Sequence, residues 1–148
     1  MNIEIEFKAK SIENGNWVNG YYLQTGTDNK RKSIIYQSNN SSEKMIEVDP
    51  VTLSQFTGYN DKNGRKIFTN DIVKIISTYP RVKLEDNEKI VFKGDSFGIE
   101  HHSGRVISLS YYFINPSRDS IDVIGNIFDN ADLLDNEESA DLKFEDLF

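Results

Sequence analysis

The chain reads as a mainly β protein, and three observations carry that reading. Aromatic residues are abundant, with nine Phe and seven Tyr among 148 residues, and they favour pleated surfaces over helices. Short apolar stretches alternate with polar residues at period two. Turn-forming pairs such as Asn14-Gly15, Asn63-Gly64 and Gly125-Asn126 break them at close intervals. The expected architecture is a small barrel or sandwich of short antiparallel strands.

The elements follow in order. Ile3, Ile5, Phe7 and Ala9 alternate with Glu4, Glu6, Lys8 and Lys10, the pattern of a strand with one buried face. A polar turn over residues 11–16 and an aromatic stretch over 17–23 complete a hairpin. Residues 33–36 and 45–48 are short strands between polar loops, the second closed by Asp49-Pro50. Asn63-Gly64 suits a tight hairpin tip, because both residues tolerate a left-handed backbone. Residues 73–76 form a continuous apolar run, as in a strand buried on both faces. Residues 80–87 read as a charged loop. Further strands are expected at 89–92, 96–99, 105–114 and 121–128. Nothing before residue 129 holds a helical period.

Composition narrows the function classes. No apolar run approaches the roughly 18 residues that span a bilayer, and the alternating N-terminal segment does not read as a signal peptide. The chain has no cysteine, which excludes disulfides and thiolate chemistry. The cytoplasm is the expected compartment. The net charge of −7 is local: residues 129–148 carry eight acids and one base, while sixteen acids and sixteen bases cancel in residues 1–128. Neither a neutral body nor an acidic tail suits the phosphate backbone, so nucleic acid is a disfavoured partner.

Residues 57–64 (Thr-Gly-Tyr-Asn-Asp-Lys-Asn-Gly), followed by Ile67-Phe68 and Asp71-Ile72-Val73-Lys74, resemble the signature of the YopX-like family. Flanking blocks at residues 5–9, 49–53 and 123–134 agree with it. The resemblance implies a phage or prophage protein of Gram-positive bacteria, and it brings no catalytic residues. That family usually has Gly before the Asp-Ile-Val segment, where this chain has Asn70; Asn is the next best residue for a left-handed backbone. Asn63, Gly64, Asn70 and Asp71 are therefore read as structural turn residues. The Asp-Ile-Val-Lys strand after a tight turn is also similar to the opening of SH3-like barrels.

Counted from Asp61, Gly64 falls fourth and Ile72 twelfth, so the EF-hand pattern fails and a hairpin turn is favoured. His101 and His102 are the two histidines. As neighbours on an extended strand they would point to opposite faces, which does not suit a shared metal. Phosphate-cradling glycine motifs and a nucleophile elbow are missing. Tyr21-Tyr22 and Tyr111-Tyr112-Phe113 could stack single-stranded bases, but core packing and an oligomer contact account for them better. Neither a cofactor nor a metal site is expected, and the chain leans away from being an enzyme.

The tail is the expected partner-binding element. Ala140, Phe144, Leu147 and Phe148 share one helical face, with acids on the other. The end Asp146-Leu147-Phe148 resembles bacterial sliding-clamp-binding peptides, although Phe144 stands where Gln is usual. The tail is therefore a short helix or a disordered acidic segment, with Phe144, Asp146, Leu147 and Phe148 as its partner-binding residues. The organisation expected is one β domain over 1–134 and an acidic tail over 135–148. The expected function is a non-enzymatic phage accessory protein that contacts a host or phage protein, in host replication or defence, and forms a homo-oligomer. The alternatives are a small-ligand binder or enzyme with a site of scattered residues, and a single-stranded nucleic-acid binder.

Overall fold

The computed structural model describes residues 4–78 and 83–134. Its chain divides into two compact units, residues 1–58 and 59–148. Both are built from antiparallel strands, the only helical elements described being 3-10 turns of three to five residues.

In the first unit, β1 (Phe7–Lys10), β2 (Trp17–Thr25), β3 (Lys32–Asn39), β4 (Ser42–Glu47) and the start of β5 (Ser54–Asn60) form one sheet in the order β4-β3-β2-β1-β5. The β1–β2 hairpin closes where Asn14-Gly15 was expected to turn the chain, with Gly15 at φ 74°. The pairings Ala9–Val18, Tyr22–Ile35 and Ile35–Ile46 fix its register. Ala9, Ile35 and Val48 are fully buried, with Phe7, Val18, Tyr22, Ile46 and Leu53 packed around them. The first strand is shorter than its alternation predicted. It starts at Phe7, and Ile5 is exposed.

The second unit contains β6 (Lys66–Phe68), β7 (Asp71–Thr78), β8 (Lys83–Lys93), β9 (Ser96–Glu100), β10 (Val106–Ser108) and β11 (Asp119–Asn126). Its main sheet runs β10-β9-β8-β7-β11. As the apolar run predicted, β7 lies inside the sheet with Ile72 and Val73 both at 0% exposure. Those neighbours point to opposite faces, so both faces are covered. Ile67, Val73, Ile75, Ile90, Ile99, Leu109, Tyr112 and Ile121 make the core.

Three expectations need correction. Neither sheet closes on itself among the described residues, so the barrel reading, SH3-like element included, gives way to open sheets. Of the charged loop expected at 80–87, the part from Lys83 onward is strand, because β8 pairs with β7 there, and residues 80–82 lie outside the described residues. The long strand expected at 105–114 ends at Ser108, and Leu109–Phe113 is a 3-10 turn. In that geometry residues three apart share a face, and Leu109 and Tyr112 are the two it buries.

Candidate functional site

The second unit holds a pocket of about 470 Å³. Ile75, Leu84 and Ile107 supply apolar wall, and Asp86, His101 and His102 gather at one end. These groups meet because of register. On β8, Leu84, Asp86, Glu88 and Ile90 are alternate residues and so share one face. Ile90 is core, and the two acids continue its inward row. At the end of β9, Glu100 pairs with Lys89, which sets His101 and His102 beside the Glu88 region.

Glu88 is the centre of the cluster, with its side chain only 2% exposed. His101 Nδ1 lies 2.9 Å from Glu88 Oε1, and His102 Nδ1 lies 3.9 Å from the same oxygen. The Tyr112 hydroxyl is 3.4 Å from His101 Nε2. Burial first, and then the negative charges of Glu88 and Asp119, hold the Tyr112 phenol well above its ordinary value. Tyr112 therefore stays a donor. Its hydroxyl lies against His101 Nε2, and the other ring nitrogen, Nδ1, lies against Glu88 Oε1. The ordered path is phenol, imidazole, carboxylate.

Asp86 completes the group. Its carboxyl is pushed up to about 7, by burial first and then by the hydrogen bond and charge of Glu88. Two adjacent carboxyls in a half-dry site resist holding two negative charges, which favours the protonated form of Asp86. Oxygen and nitrogen atoms of Asp86, Glu88 and His102 all lie within 4.8 Å of one another.

Asp119 lines the pocket elsewhere and is tied down: Ser77 Oγ donates to it at 2.5 Å and Arg118 Nε at 2.8 Å. Arg118 also lies over the Tyr111 ring, 5.0 Å from its centroid. Glu100, next to the histidines in sequence, is engaged by Lys93 and by Lys89, and the Lys93 contact leads in holding its carboxyl below the usual range.

The residues singled out from sequence lie elsewhere. Asn63 and Gly64 are in the turn between β5 and β6, where Gly64 has φ 81°. Asn63 Nδ2 donates to Asp122 Oδ1 at 3.0 Å. Asn70 has φ 72°, and Asp71 Oδ2 accepts from the Phe68 N–H at 2.8 Å. Phe144, Asp146, Leu147 and Phe148 lie outside the described residues. Of the aromatic pairs, Tyr21 is exposed while Tyr22 packs on Phe7; Tyr111 is exposed while Tyr112 is buried.

Asp86 and Glu88 belong to no recognised sequence motif. The usable signal was Leu84-Asp86-Glu88-Ile90 at period two, masked because charges stood at two of its four positions. The histidines were set apart on the premise of an extended backbone. His102 instead begins a turn, and both rings reach one carboxylate oxygen.

Fold and site together define a class: a mainly β protein of open antiparallel sheets, with an acid–histidine pocket in its second unit. The YopX protein family model matches residues 6–135, and the chain belongs to that family. It is similar in fold to the crystal structure of protein EF1440 from Enterococcus faecalis, with a TM-score of 0.53 and 21% identity. That match covers 90% of this chain and 99% of the other. No curated protein matches the sequence.

Proposed function

We propose that this protein binds a small molecule in the pocket of its second unit. Ile75, Leu84 and Ile107 would hold an apolar body, and the acid–histidine end would anchor a polar head group. The observation that carries the reading is Glu88, a buried ionisable side chain beside two imidazoles that line the cavity. Burying a carboxylate is costly, and a fold that needs only stability does better with an apolar residue there. A perturbed carboxyl, that of Asp86, beside histidines in a concave site favours ligand binding or acid–base chemistry.

The reading is tested with a fragment library of small amines, carboxylates and polyols, screened by methyl NMR in the presence of chelator. Hits should shift the methyls of Ile75, Leu84 and Ile107, and Ile107→Trp, which fills the pocket, should abolish them. Hits confined to other surfaces, or undiminished binding by the filled variant, would overturn the proposal.

A second reading rests on the segregation of charge into residues 129–148. A solvated, self-repelling segment with apolar anchors can order on a partner as a helix in a groove. In that reading the protein acts on host replication through contact with a sliding clamp. Purified bacterial clamp should bind the full chain, and Leu147→Ala with Phe148→Ala should abolish the contact without lowering Tm. Equal binding by the double variant would remove the tail from consideration.

A further inference from the structure

We propose that the acid–histidine end of the pocket binds one divalent transition-metal cation, held by Asp86, Glu88 and His102. The inference builds on the pocket reading and names what occupies its polar end.

Three observations lead to it. The donor set comes first. Two carboxylates and one imidazole nitrogen, all within 4.8 Å of one another, surround a common point. The two carboxylates, once deprotonated, match the charge of a divalent ion, so the cluster holds no excess charge. The imidazole nitrogen favours zinc, cobalt, iron or manganese over magnesium and calcium, which prefer oxygen.

Geometry comes second. Metal–ligand bonds of about 2.1 Å in a tetrahedral site place ligand atoms about 3.4 Å apart. Glu88 Oε1 and His102 Nδ1 are 3.9 Å apart, so closure by roughly half an ångström suffices for that pair. The burden of movement falls on His102. Asp86 and Glu88 sit on a paired strand, whereas His102 lies in the turn that Gly104 closes with φ 89°. A side-chain rotation there leaves the sheet untouched.

The third observation is His101. It is not one of the three ligands, yet its Nδ1 holds the Glu88 carboxylate at 2.9 Å, and its Nε2 faces Tyr112. Ligating carboxylates are commonly oriented by such an outer hydrogen bond. Tyr112 and His101 then act as positioning residues for Glu88. Three protein ligands leave a coordination position open in a tetrahedral shell. A head group with an oxygen or nitrogen donor would complete the shell.

The test is calorimetric titration of the metal-free full chain with Co²⁺, Zn²⁺ and Mg²⁺, with the visible spectrum of the Co²⁺ form recorded in parallel. One equivalent of Co²⁺ or Zn²⁺ should bind, with Mg²⁺ much weaker. His102→Ala, in a solvent-facing turn, should fold normally and weaken Co²⁺ binding about tenfold or more. Glu88→Gln should do the same. Asp141→Asn with Glu138→Gln, in the acidic tail, should leave the strong site intact. Co²⁺ binding that is unaffected by His102→Ala, lost with the tail acids, or matched by Mg²⁺ overturns the proposal, as does no binding at all. The fragment screen in chelator separates the two readings. Fragments that still bind while metal does not leave the pocket standing and remove the cation.

Discussion

Asp61 accepts three main-chain hydrogen bonds, from the N–H groups of Asn63 and Arg65 at Oδ1 and of Val123 at Oδ2, each 2.9 Å long. Burial alone would raise this carboxyl, but those bonds and the charge of Arg65 override it and hold the group below its ordinary value of 3.8. A depressed folded value contributes stability that is complete above the unfolded value and is lost as pH falls through the folded one. Asp61→Asn should therefore melt below the native chain at pH 6, and the gap should narrow as the pH drops below 3.8. A constant gap across Tm measurements from about pH 3 to pH 6 would dissociate Asp61 from acid lability. In the same turn, Gly64 has φ 81° and nothing within 4 Å of where a Cβ would stand. The cost of Gly64→Val is then backbone strain alone, about 1–2 kcal/mol. Its Tm should fall by a few degrees, with Gly64→Asn falling less; equal Tm values for all three proteins would contradict the assignment.

At the scale of elements, the pocket depends on how closely β9 and β10 approach. Gly98 pairs with Ser108, and a Cβ on Gly98 would lie 2.6 Å from Val106 Cγ1 and 3.0 Å from the Ile107 carbonyl oxygen. The carbonyl belongs to the strand pairing and cannot swing away cheaply. Gly98→Ala should thus cost about 1–3 kcal/mol, the usual range for overpacking. The same displacement would carry the turn that bears His101 and His102. Ring resonances of both histidines should shift in NMR spectra of the variant, and fragment binding should weaken. A variant with native ring shifts would mean that the turn is positioned independently of β10.

For the whole molecule, the open question is association. Phe92, Tyr111 and Ile114 of the second unit are 54%, 45% and 74% exposed. Large apolar residues left in water mark contact surfaces when they cluster. Light scattering at micromolar concentration should give a mass above 17.0 kDa, and Ile114→Asp should lower it. A clean monomer across the concentration range would assign these side chains to solvent.

Local patterning determined the β class, most strand positions and the turn at Gly15, and the family resemblance pointed to the left-handed backbone at Asn70. These features depend on neighbours in sequence: alternation at period two, and residues that tolerate positive φ. The family signature was legible for the same reason, since it is a string of turn and strand residues. The pocket was not. Asp86 and Glu88 looked like loop residues because a charged side chain on an inward face is indistinguishable, in sequence, from one in solvent. Their burial depends on pairing with β7 on one side and β9 on the other, contacts between residues far apart in the chain. His101 and His102 were separated by an assumed extended backbone, and only the turn that begins at His102 lets both rings reach Glu88. Register between strands is set by the packing of the whole sheet, and that packing decided which acids and imidazoles would meet.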